Sequence, residues 1–298
     1  MFNQCLTMFI YMMTGFILYK TRIIEEKGSM NISRLLVWLV IPAMVIKSFC
    51  IEKNSSSTVL VIEGFALGAL ALIISMFIAH LLFHKNSLDD FGTAFSNAGF
   101  IGIPLVEASL GSRAVIGLIG FMSMLNILQW TYGVSLMTGK KVHMSLKEIL
   151  LTPIIVSPII GLLIYFSALG NILPSVIKNT VNGIASLNAP LAMIVLGTYL
   201  AKCNIRKMFT NPHLYLVSAV RLIVIPLITI FIFKFIPFSA LSKMAVIIGA
   251  SAPAGANCAV YAQLLNKDYP YGCQVVALST VLSIITVPLI CAFINLII

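Results

Sequence analysis

From Ala114 to Gly139 the chain carries no Asp, Glu, Lys or Arg, and the same holds for 244–266 and 269–298. A helix needs about 20 apolar residues to cross a hydrocarbon layer roughly 30 Å thick, so each stretch is long enough to span one. A water-soluble domain usually carries about 25% charged residues. This chain of 298 residues has 9% charged and 60% hydrophobic residues, too few charges to cover a soluble surface. It is neither polar nor of low complexity, which excludes disordered and fibrous classes. The fold class that remains is an all-α polytopic membrane protein.

Ten transmembrane helices are expected over 2–19, 32–50, 57–83, 89–109, 114–138, 148–169, 176–200, 211–235, 242–265 and 269–295. Gly170, Asn171 and Pro174 supply the break between the sixth and seventh, where no charge marks it. The run Phe2–Tyr19 lacks a positively charged leader and is followed by Lys20 and Arg22, so it reads as a retained first span and not a signal peptide. The surplus of basic residues, 19 against 9 acidic, falls mostly in short gaps. There it reads as a topology signal and as contact with membrane lipids, with no nucleic-acid partner implied.

Gaps after odd-numbered spans hold twelve basic residues: Lys20, Arg22, Lys27, Arg34, Lys85, Lys140, Lys141, Lys147, Lys202, Arg206, Lys207 and Lys267. Even-numbered gaps hold six: Lys47, Lys53, Arg113, Lys178, Lys234 and Lys243. The positive-inside rule then places both termini outside the cytoplasm. Cys5, Cys50, Cys203, Cys258, Cys273 and Cys291 form no CxxC pair, and most lie in apolar segments, where they act as small packing side chains.

Five spans per half would orient the halves oppositely, and paired features support such a duplication. Ile41-Pro42-Ala43-Met44 in span 2 matches Ala189-Pro190-Leu191-Ala192-Met193 in span 7, Pro42 to Pro190 being an offset of 148. Asn97, Gly99, Gly102 and Pro104 interrupt span 4, and Ser251, Pro253, Gly255 and Asn257 interrupt span 9. The halves are 1–138 and 148–298, joined by a short cytoplasmic loop at 139–147. A helix broken in hydrocarbon frees N–H and C=O groups, tolerated only where protein, water or ligand satisfies them. Paired broken helices near the midplane are the recurrent binding architecture of secondary transporters.

The strings Ser96-Asn97-Ala98-Gly99-Phe100-Ile101-Gly102-Ile103-Pro104-Leu105 and Ala250-Ser251-Ala252-Pro253-Ala254-Gly255-Ala256-Asn257 resemble the crossover regions of the auxin efflux carrier family. Ile41-Pro42-Ala43, Pro190-Leu191-Ala192 with Gly197, and Arg221-Leu222-Ile223-Val224-Ile225-Pro226 extend the likeness over nearly the whole chain. That family includes plant auxin exporters and prokaryotic permeases for malate and related carboxylates. The resemblance implies two inverted five-helix repeats in which spans 4 and 9 cross. It further implies a transport domain of spans 3–5 and 8–10 beside a scaffold of spans 1, 2, 6 and 7, with a homodimer through the scaffold. The loop 138–148 is shorter than in plant plasma-membrane members, which points to a bacterial inner-membrane permease. The second crossover places proline before glycine and asparagine, unlike the first, so the two do not correspond residue by residue.

Asn97 and Asn257 either cap the helix breaks or line the substrate path, since an amide both donates and accepts. Gly99, Gly102, Pro104, Pro253 and Gly255 shape the breaks. Helix N-termini at the breaks favour an anion. Arg221, deep in span 8, attracts an anionic substrate, pairs with an acid or with helix C-terminal carbonyls, or snorkels. Asn126, with Met122, Met124 and Gln129, offers mixed lining from span 5, and Ser96, Ser251 and Gln263 supplement the polar path. Glu63 reads as an interfacial residue, with proton coupling or pairing to Arg221 as alternatives. Glu107 and Arg113 read as an interfacial pair, and Asp89 and Asp90 as helix-start caps.

His80, His84, His143 and His213 show no metal-ligand spacing. There is no phosphate loop, so no nucleotide and no other cofactor is expected, while Na⁺ or H⁺ coupling stays open. No Ser–His pair or twin intramembrane aspartates suggest an enzyme. The expected function is alternating-access transport of a small organic anion, with a neutral or zwitterionic solute, a receptor or a channel as rivals.

Overall fold

The computed structural model describes residues 2–139, 153–202 and 205–297. The loop 140–147, with Lys140, Lys141, His143 and Lys147, the expected start of the sixth span at 148, and Cys203 lie outside the described residues. Every regular element among the described residues is helical, and the single β-type contact is an isolated bridge.

The main helices are α1 (Phe2–Lys20), α2 (Glu26–Phe49), α3 (Ser55–Phe83), α4 (Ser87–Ala94), α5 (Ile103–Leu110), α6 (Arg113–Thr138), α7 (Pro153–Phe166), α8 (Ser175–Leu200), α9 (Pro212–Lys234), α10 (Ala240–Ala250), α11 (Asn257–Leu264) and α12 (Tyr269–Ile297), with short turns of helix at Leu169–Ile172 and Ile205–Thr210. Among the described residues six of these, α2, α3, α6, α8, α9 and α12, are long and apolar enough to cross a membrane by themselves. Ile62, Ile73 and Phe77 of α3 remain exposed, a surface suited to lipid and not to water.

Two segments expected to be spans are each split in two. The stretch 89–109 becomes α4, an extended piece at Phe95–Asn97, a π-helical turn over Ala98–Gly102, and α5. The stretch 242–265 becomes α10 and α11 with a non-helical link. Helix α2 starts at Glu26, ahead of the expected 32, because its first turns are amphipathic: Ser29 and Ser33 point into the protein while Lys27 and Arg34 stay outside. A hydropathy reading discards such a turn.

Prolines explain three of the four π turns among the described residues; the fourth, Gln129–Gly133 in α6, has none. A proline lacks the N–H that would bond the carbonyl four residues back, and its ring clashes with that carbonyl; a wider π turn accommodates both. Pro42, Pro104 and Pro226 each follow a π turn, over Leu36–Val40, Ala98–Gly102 and Val220–Val224 respectively. Pro190 lies just after the seam at Leu187, which divides α8 into Ser175–Ser186 and Asn188–Leu200.

Small residues set the tightest helix contacts, as expected where lipid gives no hydrophobic drive for association. Helix α1 packs along Asn188–Leu200, with Gly15 against the Ile194 carbonyl and Gly197 against the Met12 carbonyl. Helix α3 packs along α6 through Gly64, Gly68, Gly117 and Gly120, close enough that an added Cβ at Gly64, Gly68 or Gly120 would overlap the neighbouring backbone. Gly197→Leu is therefore expected to force α1 off α8 at a cost of at least 1–3 kcal/mol, the usual range for overpacking, or about 2–8 °C in melting temperature. A fluorescence-detected thermal melt of the purified protein in detergent measures it; an unchanged melt would show that α1 is not held by this contact.

Candidate functional site

The two breaks lie against each other. The Asn97 N–H donates to the Pro253 carbonyl at 2.8 Å, and the Gly255 N–H donates to the Phe95 carbonyl at 2.9 Å. Ser96 and Ala254 thereby form an antiparallel bridge. The Ala254 N–H donates to Ser279 Oγ of α12 at 3.2 Å. Peptide groups that would be unsatisfied in a continuous apolar layer thus find partners across the crossing. Gly255 suits this close approach, since a Cβ would meet the Ser96 carbonyl at 3.2 Å and Gln129 Nε2 at 3.4 Å, and a neighbour would have to give way by a few tenths of an ångström.

A cavity of about 30 Å³ adjoins this contact, lined by Ser96, Asn97, Gly99, Gly255, Ala256 and Asn257 from the breaks, by Met122, Leu125, Asn126 and Gln129 of α6, and by Ile41, Met44 and Asn188 of α2 and α8. Asn257 Nδ2 donates to Gln129 Oε1 at 2.6 Å. Three buried polar atoms on this wall have no protein partner: Ser96 Oγ, Asn97 Nδ2 and Asn188 Oδ1. Asn97 and Asn188 are only 3% and 4% exposed, so each such atom costs about 1–3 kcal/mol unless another group meets it. A second cavity of about 480 Å³ shares Met44, Gly99 and Asn188 with the first and leads to the exposed residues Lys47, Glu107 and Ser186. Asn188 Nδ2 donates to Met44 Sδ, and this pair stands between the small cavity and the larger one.

Of the residues expected to form the site, Asn97, Gly99, Asn126, Gly255 and Asn257 converge on the cavity. Asn97 begins the π turn without a side-chain capping bond, so its amide is left for the cavity. Gly102 packs instead against Gly249 of α10, and Pro104 lies in the first turn of α5. Pro253 contributes its carbonyl to the bridge. Ser251 is fully buried and turns its hydroxyl back to the Ile247 carbonyl. Gly102, Ser251 and Pro253 thus build the crossing from behind.

Arg221, 1% exposed, sits in the π turn of α9 and points its guanidinium at carbonyls. Nε donates to Ala252 at 3.1 Å; Nη1 donates to Thr93 at 2.9 Å and more weakly to Ala94 at 3.4 Å; Nη2 donates to Ala250. Thr93, Ala94 and Ala250 are the C-terminal residues of α4 and α10, and Ala252 lies in the link just after α10. Glu63 is not its partner. The Glu63 carboxylate accepts from the Ser239 N–H and hydroxyl, where it meets the positive N-terminal end of α10.

The expected capping role of Asp89 and Asp90 is replaced by hydrogen bonds to side chains of other helices. Asn86 caps α4 with its side chain. Asp89 accepts from His213 and from Tyr271 Oη, both at 2.8 Å, and Asp90 pairs with His80 at 2.9 Å. Both aspartates are fully buried, so these partners supply hydrogen bonds that solvent does not. On the same face, Ser33 Oγ and Tyr199 Oη lie 2.7 Å apart and both bond Gln263 Oε1. Lys202 pairs with Glu26 at 2.8 Å and donates to Tyr269 Oη at 2.7 Å. Burial opposes the Lys202 charge, but the bonds to Glu26 and Tyr269 prevail and raise its pKa above the usual lysine value. These bonds join α2 and the end of α8 to α11 and α12.

The sequence profile of a family described as membrane transport protein matches residues 1–144 and 140–291. The chain belongs to this auxin efflux carrier-like family. It is 25% identical over 294 residues to an uncharacterized transporter of Methanothermobacter thermautotrophicus, covering 95% of each chain. It is 22% identical over 300 residues to an uncharacterized transporter of Methanocaldococcus jannaschii, covering 95% of this chain and 96% of that one. As a multi-pass membrane transport protein, it places a cavity between two broken helices and the α2–α8 pair.

Asn188 and Met44 were absent from the expected site. Both adjoin or belong to the repeated proline strings around Pro42 and Pro190, which gave a signal of duplication but not of lining. Asn188→Ala is expected to lower transport roughly five- to tenfold, the effect of about one hydrogen bond to a ligand. Its melting temperature should stay within about 2 °C of the parent, since Oδ1 has no protein partner and the loss of the weak bond from Nδ2 to Met44 Sδ is offset by removing a buried unpaired oxygen. Parallel uptake and melting measurements decide: a large fall in stability with normal uptake would make Asn188 a packing residue.

Proposed function

We propose that this membrane transport protein is a secondary transporter for a small organic anion, most simply a carboxylate, working by alternating access. The observation that carries this reading is the convergence of unpartnered buried polar atoms of Asn97, Asn188 and Ser96 on one cavity where two interrupted helices meet. Charge arrangement favours an anion. The cavity lies at the starts of the second half-helices, at Asn97–Gly99 and Gly255–Asn257, where backbone N–H groups and positive dipole ends collect. The opposite, carbonyl-rich ends are occupied by Arg221. Among the described residues no acidic side chain lines the small cavity; the larger one carries Lys47 and Glu107 together and so adds no net charge of its own. Because the small cavity carries amides and no charged group, a neutral or zwitterionic solute is the second reading.

In this proposal the chain has ten spans in two inverted repeats, with α4–α5 and α10–α11 as the fourth and ninth. Helices α3–α6 and α9–α12 form a transport domain that moves against a scaffold of α1, α2, α7 and α8. The cavity lies on that boundary, which would explain why α2 and α8 complete its wall. A volume near 30 Å³ suits about one water molecule, so a carboxylate needs Met44 and Asn188 to part and join it to the larger cavity. That cavity opens on the side of Lys47, the outer side by the positive-inside reading, in a bacterial inner membrane with both termini outside. The Ser33–Tyr199–Gln263 and Lys202–Glu26–Tyr269 groups close the other side. A homodimer through the scaffold belongs to the same proposal.

Proteoliposome uptake across a panel of carboxylates, amino acids and neutral solutes, with saturable counterflow, is the test. Carboxylate uptake is expected, with Asn97→Ala and Asn257→Ala each lowering it at least tenfold while assembly is retained. Uptake confined to neutral solutes would reverse the substrate class, and single-channel currents would replace the carrier with a pore.

A further inference from the structure

Arg221 occupies the place that a coupling cation takes in transporters built from broken helices. In such proteins, half-helix C-terminal ends and unwound carbonyls coordinate Na⁺, while N-terminal ends receive the anionic substrate group. Here the C-terminal ends of both α4 and α10 turn carbonyls onto one point. Thr93 and Ala94 come from one break, Ala250 and Ala252 from the other, and the guanidinium of Arg221 meets all four. Among the described residues Arg221 forms no ion pair with a carboxylate, and its side chain is sealed from solvent. A buried charge on this scale is strongly unfavourable unless something equally specific compensates it. The two negative dipole ends supply that compensation.

We infer that Arg221 is a tethered counter-cation, filling with a guanidinium the carbonyl cluster that would otherwise recruit a free alkali ion, and that the crossing therefore neither binds nor requires Na⁺. Arginine does not deprotonate inside proteins, so the same group cannot serve as a proton carrier. The charge is permanent and is fixed to α9. If α9 moves with the breaks, as the proposed mechanism has it, the positive charge accompanies the substrate as a co-transported sodium ion would. Only this coupling consequence rests on the transporter reading; occupation of the carbonyl cluster by a cation does not.

Removing the side chain should expose a cation site, and that is the test. Wild-type protein, Arg221→Ala, Arg221→Lys and Arg221→Gln are purified and melted in sodium, potassium and choline chloride, with and without millimolar guanidinium chloride, far below denaturing levels. Wild-type stability is expected to be the same in all three salts and unmoved by guanidinium. Arg221→Ala should melt several degrees lower and recover saturably with guanidinium, as a ligand bound to the folded state alone requires. Arg221→Lys should keep more stability than Arg221→Gln, because it keeps the charge. Folded Arg221→Ala that ignores guanidinium, or a wild type stabilised specifically by Na⁺, would overturn the inference. If Arg221→Ala does not assemble, equal damage in the Lys and Gln variants would overturn it, whereas a clear advantage for Lys would support it. In proteoliposomes wild-type uptake should be unchanged when choline replaces Na⁺, and a requirement for Na⁺ counts against the coupling claim. Absence of uptake for every solute would reject the transporter reading while the melting experiments still judge Arg221.

Discussion

A peptide group left unpaired in hydrocarbon costs several kcal/mol, and this protein interrupts a helix twice in its apolar interior. Everything at its centre follows from how those freed groups are met. The reciprocal bonds between Asn97 and Pro253 and between Gly255 and Phe95 make each break the other's partner, so neither is stable alone. Gly255 permits the approach, Ser279 from α12 takes a further N–H, and Arg221 gathers the carbonyls that the bridge leaves over. One arrangement satisfies all of these at once.

Satisfaction of the backbone also sorts charge in space. The C-terminal ends of α4 and α10 are neutralised by a guanidinium, whereas the starts of the following half-helices face a cavity walled by amides. The bridge takes up the Asn97 and Gly255 N–H groups, and under the proposed function the helix starts that follow keep a partial positive charge towards the cavity. A structure in which both polarities were capped by protein groups would have no reason to hold a ligand. In this one the side chains of Asn97 and Asn188, which have the reach to cap or to pair, do neither with every atom they own.

The breaks were legible in the sequence because they require unusual residues: asparagine, glycine and proline crowded into apolar runs at corresponding distances. The cavity wall from α2 and α8 was not, since Met44 is an ordinary apolar residue and Asn188 gains its meaning only from what packs opposite. The same holds for Asp89 and Asp90. Placed at a helix start they read as caps, but Asn86 already fills that role, and the partners that change their meaning lie on α3, α9 and α12. Arg221 shows the intermediate case. Its depth announced a special environment, yet the choice between acid, anion and carbonyl depended on the ends of two other helices.

The two faces of the molecule differ in the kind of contact that holds them. On the Lys47 side a large cavity lies between α2 and α8 and the broken helices, and Met44, Gly99 and Asn188 border both it and the small cavity. On the Lys202 side the same pair of helices is tied to α11 through Tyr199, Ser33 and Gln263 and to α12 through Tyr269, which bonds both members of the Lys202–Glu26 ion pair. Directional bonds of this kind must break before the helices can part, whereas on the cavity side little direct contact is left to lose. Under the proposed mechanism the polar face is therefore the one that opens in a single step. Its strength would set how long the protein waits with the cavity turned towards Lys47.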